Sequence, residues 1–337
     1  MKSNMKISTA IEHWLYQYPF RITGHVFDSS DVLVATVESD GLRGRGEAAG
    51  VYYHNETAHS MAADLEQLQI GAESLDRQRL LSMIGPGGAR NALDCALWEL
   101  ESFQTGLPVW KLAGIAQPKP LLTTYTLGAD DAGRMAERAQ IFASARALKL
   151  KLIGDGEDAE RVRAVRAMRP DVWLGVDANQ GFTPDSFDTL LSTLVTANVE
   201  LIEQPFPVGK EQWLKGLGSP ITLAADESVQ DSRDIEKMVG LVDVINIKLD
   251  KCGGLTEALA MATLARKLGL KLMVGNMVGT SLSAAPGYLL GQVCDLIDLD
   301  GPLLLASDRA LPVSYEDGYI TCADEVWGAF NTPHTDY

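Results

Sequence analysis

The stretch Leu148-Lys149-Leu150-Lys151-Leu152 decides how this chain is read. Side chains alternate sides along a strand, so Lys149 and Lys151 share one face and the three leucines take the other. Two neighbouring ammonium groups repel, and burial penalises their charge further. Such a pair calls for nearby negative charge, or for a use of a lysine with a lowered pKa. Taken by itself, the stretch reads more simply as an exposed strand edge guarded by lysines against aggregation. The residues downstream reverse that reading.

Working outward, the alternation of short apolar strands and helical stretches begins near residue 120. Strands are expected at 122–127, 147–152, 172–178, 199–204, 221–226, 242–249, 271–275 and 296–299, with helices such as 158–168 and 255–268 between them. Eight strands starting 21 to 29 residues apart match the βα unit of a (β/α)8 barrel. A doubly wound open sheet is the competing architecture, but no glycine-rich nucleotide fingerprint follows the first strand. Upstream, residues 6–50 are β-rich, with a hairpin turn at Asp40-Gly41 and a polar, loop-like segment between Phe20 and Asp31. Residues 56–115 are largely helical, and Gly85-Pro86-Gly87-Gly88 reads as a helix-start turn rather than a phosphate loop, for it lacks the P-loop lysine. The fold class expected is α/β: a TIM-type barrel (119–305) with an α+β capping domain (1–118). The C-terminal segment (306–337), with a β-like stretch at 314–321, is expected to return to that cap.

Composition narrows the function. The 337 residues are 46% hydrophobic, enough for a large core, and carry a formal charge of −16. That charge argues against nucleic acid or an anionic membrane as partner. No run approaches the length of a membrane span, and residues 1–20 hold no signal-like apolar region. Four scattered cysteines without CxxC spacing fit thiols in a reducing compartment, so a cytoplasmic location is expected.

Five consecutive strands end in an ionisable residue: Lys151, Asp177, Glu203, Asp226 and Lys248. The alternation puts all five on one face, with Leu150, Val176, Ile202, Ala225 and Ile247 on the other, where helices would cover them. The charged face therefore points to the barrel axis at its C-terminal rim. Three carboxylates there cannot sit together unpaired, and a hard divalent cation, Mg2+, one per subunit, is the natural counter-charge. Lys151 and Lys248 flank the cluster from opposite sides of the mouth. A lowered pKa is expected for each, as suits a general base. A cation gripping a substrate carboxylate between two opposed bases suits removal and return of an α-proton, hence racemisation or epimerisation. A salt-bridge network explains one such residue more readily than five in step.

With Lys149-Leu150-Lys151, Asp177-Ala178-Asn179, Glu203-Gln204-Pro205, Asp226-Glu227-Ser228 and Asn246-Ile247-Lys248-Leu249-Asp250-Lys251-Cys252-Gly253-Gly254, the chain resembles the enolase superfamily, in its muconate-lactonising-enzyme subgroup. Asp298-Leu299-Asp300 before Gly301-Pro302 makes it most similar to the dipeptide epimerases of the L-Ala-D/L-Glu type, whose members use that pair for a dipeptide's free ammonium. The resemblance implies Asp177, Glu203 and Asp226 as Mg2+ ligands and Lys151 and Lys248 as the acid/base pair. It implies that Lys149 steadies the substrate carboxylate and tunes Lys151, and that Thr124, Asn276, Val278, Asp298 and Asp300 contact substrate. It further implies a dipeptide as partner, admits a homo-oligomer, and points to the metabolism of peptidoglycan peptides.

Two positions depart from the family pattern. Phe27 stands where glutamate-selective members carry arginine, and Asn276 where close relatives carry cysteine. Removing the arginine removes the partner of a side-chain carboxylate. The expected preference is therefore not simple glutamate: Phe27 favours an apolar side chain, and the acidic Asp28 and Asp31 leave room for a cationic one. An N-acylamino acid racemase or o-succinylbenzoate synthase would share the rim without needing Asp298 and Asp300. A metal hydrolase would have no use for two opposed lysines, and a non-catalytic binding barrel no use for either.

Overall fold

The computed structural model describes residues 5–68 and 75–329; the outer ends of the expected cap and C-terminal segments lie outside the described residues. The chain opens with an antiparallel sheet of β1 (Lys6–Ile22), β2 (His25–Ser39) and β3 (Leu42–Ala48). Asp40-Gly41 forms the two-residue turn, with φ of 51° and 80°, a backbone whose twist suits a hairpin. The segment from Phe20 to Asp31 is not the loop expected. β1 and β2 continue through it, pairing Phe20 with Phe27 and Ile22 with His25 around a Thr23-Gly24 turn. Its polar residues have another use, since hydrogen bonds help to hold this hairpin to the barrel beside the buried Ile22. Thr23 Oγ1 donates to Leu152 O (3.1 Å) and Ala178 O (2.7 Å), and Ser30 Oγ to Val278 O (2.7 Å).

Helices α1 (Ala58–Glu66), α2 (Arg77–Met83) and α3 (Gly88–Thr105) pack on this sheet, joining Leu33, Ala35 and Val37 to Met61, Leu80, Leu93 and Leu100 in one core. The glycine cluster before α3 is indeed a helix start, and the anion at its N-terminus is the chain's own: Gly88 N–H donates to the Glu56 carboxylate (2.9 Å). Gly44 and Gly46 let α3 lie directly on β3, because a Cβ on either would overlap a carbonyl oxygen of α3, Ala96 or Ala92.

After α4 (Val109–Leu112) and β4 (Leu121–Leu122) come eight parallel strands in sheet order: β5 (Tyr125–Leu127), β6 (Ala147–Lys151), β7 (Trp173–Asp177), β8 (Leu201–Glu203), β9 (Thr222–Ala225), β10 (Val244–Lys248), β11 (Lys271–Gly275) and β12 (Leu296–Asp298). The barrel expected from the strand spacing is present. The intervening helices are α5 (Ala132–Ile141), α6 (Asp158–Met168), α7 (Pro184–Thr196), α8 (Ser232–Met238), α9 (Leu249–Cys252), α10 (Leu255–Lys267) and α11 (Ser281–Gly291), with α12 (Gly301–Leu304) after β12. Leu150, Val176, Ile202, Ala225 and Ile247 face this helical layer in one large core. Leu201, Ala224, Val244 and Met273 form a separate inner cluster with Trp173 and Leu296, filling the barrel interior. Thr124 N–H donates to Ile297 O (3.0 Å), drawing the first strand to the last.

Two expectations need correction here. The stretch 122–127 is not one strand: Leu121–Leu122 leaves the barrel to pair with β14 (Tyr319–Thr321), itself hairpinned to β13 (Ser314–Glu316). That hairpin therefore joins β4 and not the N-terminal sheet. The return to the cap comes further on, where Trp327 Nε1 donates to Arg45 O (3.0 Å) and Ala329 N–H to Ser102 Oγ (2.8 Å). No helix among the described residues is long and apolar enough to cross a membrane.

Gly46→Val forces β3 and α3 apart. Urea unfolding should show a loss of about 1–3 kcal/mol, the usual cost of overpacking.

Candidate functional site

The strand register sets the rim. Lys151 lies opposite Asp177 and Asp177 opposite Glu203 across β6, β7 and β8, while Asp226 directly follows β9 and Lys248 ends β10. Inward alternation then brings together residues far apart in sequence. Ligand oxygens of Asp177, Glu203 and Asp226 all lie within 4.8 Å of one another, and all three side chains are buried.

Burial and the charge of Asp177 push the Glu203 carboxyl up to about 7, with Lys149 pulling the other way. Asp226 behaves oppositely: burial opposes its charge, but Lys248 and Lys251 hold it well below the usual carboxylate range. Six buried carboxylates (Asp177, Glu203, Asp226, Glu227, Asp298, Asp300) meet four buried lysines (149, 151, 248, 251) in and around the barrel mouth. Three buried hard oxygen donors converging on one point, with the Glu203 carboxyl raised by its neighbour's charge, fit a divalent cation.

Both expected bases sit beside this cluster. Lys151 Nζ donates to Asp177 Oδ2 (2.5 Å), and Lys248 Nζ lies 2.8 Å from Asp226 Oδ2. The lowered pKa expected for Lys248 is not what these side chains alone produce. Burial does oppose its charge, but Asp226, Glu203 and Asp177 outweigh burial and raise its pKa well above the ordinary value. The expectation counted the charge of a cation, and the protein's own carboxylates act in the opposite direction.

The remaining expected residues divide into two groups. A cavity of about 280 Å3 between cap and barrel is lined by Lys151, Asp226, Lys248, Phe27, Asn276 and Val278, among others. Lys149, Thr124, Asp298 and Asp300 do not line it. They form a buried cluster of their own, in which Lys149 Nζ and Thr124 Oγ1 both donate to the Asp298 carboxylate, and Lys149 also reaches Glu203 Oε2 (3.3 Å). Thr126 N–H donates to Asp300 Oδ2 (2.5 Å), while burial and the Asp298 charge raise the Asp300 carboxyl to about 6.

On the cap side Phe27 stacks on His25 (5.8 Å between centroids) and meets the Tyr52 ring edge-on (5.4 Å). Tyr16, Phe20 and Met277 complete an apolar wall. Arg21 is exposed and takes no part in it.

Several residues at the rim were given no role from sequence. Lys251 Nζ donates to Asp226 Oδ1 (2.6 Å), Asp226 O (2.6 Å) and Asn246 O (2.9 Å), while Asn246 Nδ2 donates to Glu203 Oε1 (2.7 Å). The signal for Lys251 was its i+3 spacing from Lys248 ahead of Gly253-Gly254, for one helical turn brings the two to the same side. Tyr52 and Tyr53 carry no motif, because a short 3-10 turn after β3 delivers them from elsewhere in the chain.

The model of the mandelate racemase/muconate lactonizing enzyme N-terminal domain matches residues 4–114, and that of the enolase C-terminal domain-like family matches residues 130–326. The chain belongs to the enolase superfamily. It is 35% identical to the L-Ala-D/L-Glu epimerase of Escherichia coli over 313 residues, covering 91% of this chain and 96% of that one. It is 37% identical to an N-acetyl-D-glutamate racemase of Pseudoalteromonas over 256 residues, 75% of this chain and 80% of that one. Among solved structures, an enolase family member from Agrobacterium tumefaciens with homology to dipeptide epimerases, bound to sodium and L-Ala-L-Glu, superposes with a TM-score of 0.93 at 37% identity. That likeness covers 96% of this chain and 100% of the other.

Cation binding needs Glu203 ionised, and its carboxyl is raised to about 7. Protons therefore compete below that pH, and the Mg2+ dissociation constant should increase as pH falls from 8 to 6, with proton release on binding. Calorimetry in two buffers of different ionisation enthalpy measures both.

Proposed function

We propose that this protein is a Mg2+-dependent epimerase of dipeptides, acting at the α-carbon of the C-terminal residue. The observation that carries the reading is the pair Lys151 and Lys248, each anchored on a different carboxylate of one triad and both facing the same cavity. The relatives' names support the reaction class, and the triad's hard oxygens support the cation.

In this mechanism Asp177, Glu203 and Asp226 hold Mg2+. When bound, the ion supplies positive charge to the substrate carboxylate, which makes the adjacent α-proton removable. One lysine, in its neutral form, takes the α-proton from one face of the substrate's tetrahedral α-carbon, and the C–H electron pair passes into a planar enediolate. The lysine opposite, in its ammonium form, returns a proton to the other face, inverting the centre. Lys149, paired to Asp298 and Glu203, keeps the buried charge in balance on the far side. Asp298 and Asp300 are the acidic seat for the substrate's ammonium in this reading, and the cap closes the cavity against water.

The side-chain preference follows from the cavity wall. Phe27, Phe20, Tyr16, Tyr52 and Met277 offer apolar and aromatic surface, and no arginine lines it. An apolar C-terminal residue is the preferred substrate. A second reading, racemisation of N-acylated amino acids, draws on one observation: Asp298 is already paired to Lys149 and does not line the cavity.

Proton NMR in D2O with a panel of L-Ala-L-Leu, L-Ala-L-Phe, L-Ala-L-Lys, L-Ala-L-Glu and N-acetyl-L-leucine separates these readings. Loss of the α-proton signal from a dipeptide is expected, and exchange confined to the acylated amino acid would favour the second. Lys151→Ala and Lys248→Ala should each lower epimerisation by at least about 100-fold, each retaining exchange with one stereoisomer only. Phe27→Arg should raise kcat/KM for L-Ala-L-Glu relative to L-Ala-L-Leu by about tenfold or more, the worth of one charge-assisted hydrogen bond.

A further inference from the structure

Only three buried side-chain polar atoms among the described residues lack a hydrogen-bond partner: Asn179 Oδ1, Glu227 Oε2 and Asn246 Oδ1. All are oxygens, and each belongs to a companion of one triad carboxylate. Asn179 follows Asp177 by two residues, and its N–H donates to Asp177 Oδ1 (2.8 Å). Glu227 directly follows Asp226, and Asn246 donates to Glu203. Asn246 does not line the cavity, whereas Asn179 and Glu227 do, and Asn179 Nδ2 ties the two together by donating to Glu227 Oε1 (3.2 Å).

A buried acceptor left without a donor is costly, so a pair of them on residues that line one cavity marks what belongs there. The scaffold holds both atoms firmly. Asn179 has the left-handed φ of 41°, and Gln204 has φ 36°. Gln204 Oε1 accepts from Asp226 N–H (2.9 Å) and Ser228 N–H (3.2 Å), fixing the turn that carries Glu227. Strained backbone maintained by a network of this kind is retained where a side chain must point one way.

The missing partner must donate without needing to accept. Water on a divalent cation has that character, because its lone pair is spent on the metal and its protons are polarised. Three protein ligands leave Mg2+ with waters to place.

We propose that Glu227 and Asn179 are positioning residues for the cation: Glu227 Oε2 and Asn179 Oδ1 accept from its coordinated waters and thereby set its affinity. The proposal rests on the reading of the triad as a Mg2+ site. It also gives a buried carboxylate beside Asp226 a purpose that the two-lysine chemistry does not. The rival donors are the amide N–H or ammonium of the substrate itself, which the test separates.

The experiment is calorimetric titration of the full chain with MgCl2 alone, without substrate, for the parent and for Glu227→Gln and Asn179→Ser singly. The Mg2+ dissociation constant should rise about 10- to 100-fold in each variant, the usual cost of losing such a partner. For Glu227→Gln, which leaves the left-handed backbone of Asn179 untouched, the midpoint of thermal unfolding in EDTA should stay at the parent value while the stabilisation by Mg2+ shrinks, so a merely structural role would not give this pattern. Either variant suffices if the other fails to fold. Unchanged Mg2+ affinity in a folded variant, with only the dipeptide KM raised, overturns the proposal and assigns the atoms to the substrate. A parent that binds no divalent cation overturns the triad reading, and this inference with it.

Discussion

The structure depends on charge balance at the mouth of the barrel. Three carboxylates with ligand oxygens within 4.8 Å of one another would each raise the others' pKa, and burial deepens the cost. The chain answers with Lys149, Lys151, Lys248 and Lys251, each bonded to at least one of the acids. The compensation is incomplete, as the raised Glu203 carboxyl shows. Buried charge left short of partners is costly to a fold and useful to a site that must take up a cation.

The rest of the molecule keeps that cluster dry and rigid. Outward-facing Leu150, Val176, Ile202, Ala225 and Ile247 lock the strands to the helices, so the inward residues cannot rotate away. The cap contributes no triad residue, but its long hairpin leans on the rim through Thr23 and Ser30 and carries Phe27 to the cavity wall. Hydrogen bonds contribute to that attachment beside the buried Ile22. Deep anchorage is separate: Asp250 accepts from Ala49 and Gly50 N–H, and Asp94 from Thr256, so cap and barrel interlock through buried carboxylates.

The proposed chemistry places opposite demands on one set of lysines. They must be cationic to balance the acids, yet one must be neutral to take a proton. In the protein alone the first demand dominates, and Lys248 is held charged by Asp226. A bound cation would compete for the same carboxylate and loosen that hold, linking readiness for proton transfer to occupancy of the triad.

The barrel, its strand order and the five rim residues were legible in the sequence, because they rest on period-two alternation and regular spacing. Each strand reports its own inward face without reference to the others. What sequence could not supply was who meets whom across strands. The pairing of Lys149 with Asp298, the binding of Lys251 to Asp226 and the unpartnered oxygens of Asn179 and Glu227 depend on barrel curvature and on turns that bring residues tens of positions apart into contact. The polar segment around Thr23-Gly24 misled for the same reason: its partners lie on the barrel, at Leu152 and Ala178, so its local composition describes a loop while its contacts make it a hairpin. By itself, then, the sequence determined the barrel and its ring of charges, since alternation is a local property. The tertiary structure decided which charges neutralise one another and which oxygens stay open, since those depend on distance in three dimensions.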